Sequence, residues 1–177
     1  VEPIQGGFPS KSGINYLKSL NNYCKKNKII LFFDEILTGV RVNCSSVQNI
    51  LKINSDISTF GKIIGVGMPI GVIGISKKIV KNIKLNKKKI FFGGTYSGNP
   101  LTTLVGNETL NFIIKNKKKI FPKIENHSKL MQTSINTFIE KNNIDAKFIR
   151  FHSLARIVFS KENIKDRPQR DFFEKKN

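Results

Sequence analysis

At 177 residues the chain has room for one domain, or one and a part; 39% hydrophobic and 24% charged residues make an ordinary globular composition, not a disordered one. No apolar run approaches the ~18–20 residues of a membrane span, and Cys24 and Cys44, in neither a CxxC nor a Cys/His spacing, exclude a disulfide framework and a cysteine metal site and suit a cytoplasmic protein with two free thiols. The net charge of +19 attracts phosphate, but 26 of the 31 basic residues are Lys, and no zinc finger, helix-turn-helix or RNP-type strand accompanies them.

Residues 13–26 read as a helix, because Ile14, Leu17, Leu20 and Cys24 recur at three- and four-residue spacing. The apolar run 29–33 is expected as a strand buried on both faces, hence in a parallel sheet, and it ends in Asp34-Glu35. A short helix is expected near 46–52 and a strand at 56–60, followed by Gly61-Lys62. A glycine-rich loop over 65–71 leads into a strand at 71–76. The runs Lys87-Lys88-Lys89 and Lys117-Lys118-Lys119 are expected as solvated faces. The small-residue loop 93–98 runs into a helix with Asn99 as N-cap and Pro100 at its first position. Leu101, Leu104, Val105 and Phe112 are expected to form its apolar side. A further helix is expected over about 123–141, using Ile124, Met131, Phe138 and Ile139. Short β segments at 147–151 and 154–159 and a helix starting near 167 complete the pattern. The first 90 residues thus alternate strand and helix, as α/β layers do, and a boundary is expected near 105–120.

Three polar residues stand out. Asp34 closes an apolar strand, Lys62 follows another, and Thr95 lies in a glycine-rich loop before a helix N-terminus. In open α/β sheets, sites form at the carboxyl ends of strands. Asp34 and Lys62 there are either an ion pair or parts of a site. An ATPase reading of Phe32-Phe33-Asp34-Glu35 needs GxxxxGK[ST], which does not occur, and Gly65–Gly71 misses the GxGxxG spacing by one residue.

Five motifs occur in order: Glu2-Pro3-Ile4-Gln5-Gly6, Phe33-Asp34-Glu35-Ile36-Leu37-Thr38-Gly39-Val40-Arg41, Asp56-Ile57-Ser58-Thr59-Phe60-Gly61-Lys62, Gly67-Met68-Pro69-Ile70-Gly71 and Gly94-Thr95-Tyr96-Ser97-Gly98-Asn99-Pro100. Together they resemble the class III pyridoxal-phosphate aminotransferases, nearest the branch containing glutamate-1-semialdehyde 2,1-aminomutase. The resemblance implies an α/β fold: residues 1–115 as the later part of a fold-type I large domain with a mostly parallel sheet, and 116–177 as an incomplete small α+β domain. It implies pyridoxal 5'-phosphate as cofactor and no metal. Lys62 matches the catalytic lysine that forms the Schiff base with the cofactor aldehyde, Asp34 the carboxylate paired with the pyridine nitrogen, and Thr95 the residue that reaches the phosphate of the neighbouring subunit in a homodimer. Glu2 and Arg41 are motif residues, structural or substrate-side. The implied reaction is amino-group transfer on a small amino, keto or semialdehyde substrate, by an aminotransferase or an aminomutase.

The pattern departs from the family at two places. Leu37 stands where many members carry Gln against the cofactor ring, and Gly6-Gly7-Phe8-Pro9 replaces the aminomutase Ala-Gly-Asn. The chain is expected to be a piece of a longer protein, inactive alone. A truncated non-catalytic chain and a basic nucleic-acid-binding domain are the alternatives. His127 and His152 are expected as solvated or core histidines.

Overall fold

The helical spacing of the first apolar residues produces α1, Ile14–Lys26, which buries Leu17, Asn21 and Cys24 and carries Lys25 and Lys26 in its last turn, where they suit the carbonyl end of the helix. The computed structural model describes residues 1–85, 91, 93–160 and 162–175; the Lys87-Lys88-Lys89 run lies outside them. After α1 come β1 (Phe32–Asp34), α2 (Val47–Leu51), β2 (Ile57–Gly61), a 3₁₀ turn (Lys62–Gly65), β3 (Gly71–Ile75), α3 (Lys77–Leu85), α4 (Pro100–Lys141), β4 (Lys147–Phe151), β5 (Leu154–Val158) and α5 (Arg167–Glu174).

β1, β2 and β3 form one sheet in that order. β1 runs parallel to β2, with Phe32 opposite Ile57 and Asp34 opposite Thr59. β3 is antiparallel to β2, with Gly61 opposite Gly71, so the described sheet is not mostly parallel as expected. The connection explains this. Residues 62–70 are too few for a parallel crossover, which takes about a dozen or more. The run 29–33 also differs from expectation. Leu31 and Phe33 are buried, but Ile29, Ile30 and Phe32 are exposed. Pairing with β2 begins only at Phe32, and the face of β1 that carries Phe33 is covered while the face that carries Phe32 is open.

The two helices expected over 100–112 and 123–141 are one, with Pro122 inside it. Pro122 is exposed, so the Lys118 carbonyl that loses its N–H partner faces water rather than core. Phe121 packs beside Val40, Ile64 and Ile113 and holds the helix on course. The apolar side differs too. Leu101, Leu104 and Phe112 are exposed, while Thr102, Gly106 and Ile113 are buried. Farther along, Met131 and Phe138 are exposed and Ile139 is buried. The main core joins Ile4, Leu17, Phe33, Val47 and Leu51 to Phe151 and Leu154 of the β4–β5 hairpin.

Candidate functional site

Because β1 and β2 are parallel, their carboxyl ends lie at the same edge of the sheet. Asp34, half-buried, ends β1, and its Oδ1 accepts hydrogen bonds from the Ile36 N–H (3.1 Å) and the Thr59 hydroxyl (3.3 Å). The strands stay paired one residue further, where the Glu35 N–H donates to Thr59 O at 3.0 Å. β2 ends at Gly61, where a Cβ would come within 3.2 Å of Ile70 O, so a side chain there would crowd the incoming strand. Lys62 follows in a left-handed conformation (φ 50°) and is exposed. Among the described residues six other non-glycine residues share positive φ, so the conformation alone marks no site. Among the described residues neither Asp34 nor Lys62 forms an ion pair, so the two charges do not neutralise each other. The fold therefore brings a carboxylate and a primary amine to neighbouring strand ends and leaves both available.

Thr95 follows the glycine pair before α4. It is exposed in a turn at the N-terminal end of α4 and lines an open groove of about 720 Å³ with Pro69–Ile73 and Thr102. That groove includes neither Asp34 nor Lys62. Asn99 caps α4 as expected, its side chain accepting from the Thr102 N–H at 3.1 Å.

The opening motif lies against the Asp34 turn. The Val1 nitrogen donates to Phe32 O and the Asp34 N–H donates to Val1 O, both at 2.9 Å, so Val1 runs along the outer edge of β1. Glu2 is exposed, and Gly6 leaves room only for Leu37. Arg41 is tied into the turn, with Nε donating to Leu37 O at 2.9 Å. Its carbonyl accepts from the Ser153 hydroxyl at 3.2 Å, fastening the hairpin to the same turn. His127 is exposed, but His152 is neither solvated alone nor core. Its Nδ1 lies 3.1 Å from Glu125 Oε2, beside Arg150.

Sequence reasoning missed Glu35. It is fully buried, and its carboxylate accepts from Val47 N–H (2.8 Å), the Thr38 hydroxyl (3.1 Å) and Gln48 Nε2 (3.1 Å). The available signal was the strand period. Successive residues point to opposite sides, so of two adjacent acids at a strand end one faces inward.

Among the described residues no group of three His, Cys, Asp or Glu could hold a metal, and no helix is long and apolar enough to cross a membrane. Both cysteines are free.

A family model described as Aminotransferase class-III matches residues 1–154. The glutamate-1-semialdehyde 2,1-aminomutase of Clostridium novyi is 32% identical over 163 residues, covering 90% of this chain and 37% of that protein. The enzyme of the same name from Thermosipho melanesiensis is 35% identical over 167 residues, covering 93% and 38%. A solved glutamate-1-semialdehyde aminomutase from Pseudomonas aeruginosa, in complex with PMP, superposes with a TM-score of 0.82 at 16% identity, over 98% of this chain and 40% of that one. The chain thus spans well under half the length of the relatives it matches. It belongs to the class III aminotransferases, a family of pyridoxal-phosphate-dependent enzymes.

Proposed function

We propose that the protein containing this chain transfers amino groups with pyridoxal 5'-phosphate, using Lys62 as the catalytic amine. The observation that carries this is the carboxylate and amine at adjoining ends of β1 and β2, with no ion pair among the described residues consuming either. The donor set fits the cofactor, since Lys62 offers an amine for its aldehyde and Asp34 a carboxylate for its ring nitrogen. When bound, pyridoxal phosphate supplies an electron-accepting ring for carbanion chemistry. Asp34 keeps a proton on the ring nitrogen, itself held by Thr59 and the Ile36 N–H. Lys62 would hold the cofactor through its amine and would move the proton at the substrate carbon. Thr95, exposed before the N-terminus of α4, would bind the phosphate in the neighbouring subunit of a homodimer.

Residues 1–115 form the later part of the cofactor-binding domain and 116–177 part of the smaller one, in a cytoplasmic enzyme. The names of the relatives at 32% and 35% identity favour the aminomutase reaction on a semialdehyde over transfer between two substrates. The test uses the full-length protein with pyridoxal phosphate. Borohydride treatment should fix the cofactor on the peptide carrying Lys62, and Lys62→Ala should abolish turnover. Asp34→Asn should still bind cofactor while turnover falls by orders of magnitude. An adduct on another lysine, or near-normal turnover in Asp34→Asn, refutes the assignment.

A further inference from the structure

Asp34 ends a three-residue strand that pairs with β2 on one side and with Val1 on the other. The buried carboxylate next to it belongs to a closed circuit. Glu35 Oε1 accepts from Gln48 Nε2, which also donates to the Ser58 hydroxyl at 2.8 Å. Gln48 Oε1 accepts from the Ser55 N–H (2.7 Å) and hydroxyl (3.0 Å). Ser58 precedes Thr59, whose hydroxyl returns to Asp34. On the other oxygen, Glu35 accepts from the first residue of α2 and from Thr38, closing the turn that follows Asp34. The turn is tight as well. Gly39 N–H donates to Glu35 O at 2.8 Å, and a Cβ on Gly39 would sit 2.8 Å from that same oxygen. An apolar residue could fill position 35 without the desolvation that a buried carboxylate costs. What the carboxylate adds is a fixed relation among β1, α2 and β2.

We propose that Glu35 is a positioning residue for the reaction. Through Gln48 and Ser58 it fixes the carboxylate of Asp34 relative to the end of β2, from which Lys62 projects, so that both meet one bound cofactor. This rests on the reading of Asp34 as the ring-nitrogen partner.

The donor pattern supplies a selective test. In Glu35→Gln the new amide keeps its oxygen toward Val47 and Thr38 and turns its NH₂ against the NH₂ of Gln48, which breaks the arm to Ser58. Adding Gln48→Glu reverses the pair. The carboxylate introduced on α2 then accepts from the amide introduced on the turn, from Ser55 and from a rotated Ser58 hydroxyl, and the circuit closes again.

The measurements use the full-length protein loaded with pyridoxal phosphate carrying a heavy-nitrogen label in its ring. The ring-nitrogen resonance reports whether that atom is protonated, and kcat and KM are read beside it. Asp34→Asn sets the resonance for complete loss of the partner. Glu35→Gln should move the resonance part of the way to that reference and lower kcat about 10- to 100-fold, the scale of a misplaced catalytic group, with KM within about threefold. The double variant should return both toward wild type. Gln48→Met, which removes the Ser58 arm alone, should shift both in the same direction, and it decides the matter if Glu35→Gln does not fold. Unchanged resonance and kcat in the folded single variants, even with a lower melting temperature, would leave Glu35 a purely structural role and overturn the proposal. So would a double variant that folds without restoring them. If Asp34→Asn itself leaves the resonance unmoved, the ring-partner reading fails, and that arm alone shows it.

Discussion

Two carboxylates fasten this chain in opposite surroundings. Glu35 is fully buried and bonded to a backbone N–H, a hydroxyl and an amide, all neutral. Glu125, on α4, keeps 27% of its side chain exposed and faces Arg150 at 3.0 Å, His152 at 3.1 Å and Lys129 at 3.9 Å. Around Glu35 the apolar core of Leu17, Phe33, Val47 and Leu51 excludes water, so direction matters more than charge. Around Glu125 a set of polar contacts attaches the hairpin to α4. Asn136 pairs both ways with the Phe148 backbone, Gln132 accepts from Arg150 Nε, and Ser128 donates to His152 O. The first arrangement fixes geometry beside the candidate site. The second adds to neutral hydrogen bonds a set of ion pairs that salt and acid weaken.

The largest effect that would test this contrast comes from the core. Phe33, the residue before the two acids of the site turn, is fully buried in one cluster with the hairpin residues Phe151 and Leu154. Phe33→Ala should destabilise the full-length protein by about 3–5 kcal/mol in urea denaturation. Phe138→Ala, on α4 and 60% exposed, should stay within about 0.5 kcal/mol. Equal losses at the two positions would mean that α4 is as deeply packed in the complete protein as the core is here, and the contrast would fail.

An intermediate effect belongs to the start of α4. Asn99→Ala removes the acceptor for the Thr102 N–H and should cost about 1 kcal/mol by thermal denaturation. This cap was legible in the sequence, as were α1, α2, β2 and β3, because each rests on a local signal: a period, a cap, a β-branched run. The motif order likewise pointed to the family. What was not legible depends on neighbours. Pro122 reads as a stop, yet its ring stands in solvent while Phe121 is packed, and the helix passes through. Ile30 and Phe32 read as doubly buried, since an apolar run carries no information about which layers cover it. Of the two adjacent acids the sequence singles out Asp34, not Glu35. Its burial depends on Val47 and Gln48, twelve and thirteen residues away, whose donors no periodicity announces.

The smallest effect is the one that separates the two carboxylates by pH. Burial pushes the Glu125 carboxyl upward, but the hydrogen bond and charge of Arg150 and the imidazole of His152 outweigh it and hold it below its ordinary 4.5. A carboxyl lowered on folding stabilises the native state above its unfolded value, and the contribution disappears as pH falls through the lower folded value. Glu125→Gln should therefore cost the full-length protein up to about 1 kcal/mol near neutrality, because partly exposed pairs are worth little. The gap between wild type and variant should close as pH falls below 4.5, and added salt should narrow it at neutral pH. Melting curves from about pH 3 to 7 at low and high salt read both effects. A gap that stays open in acid and salt would mean that Glu125 holds the hairpin by shape and neutral hydrogen bonds, as Glu35 holds its turn. The two carboxylates would then be alike in kind and differ only in exposure.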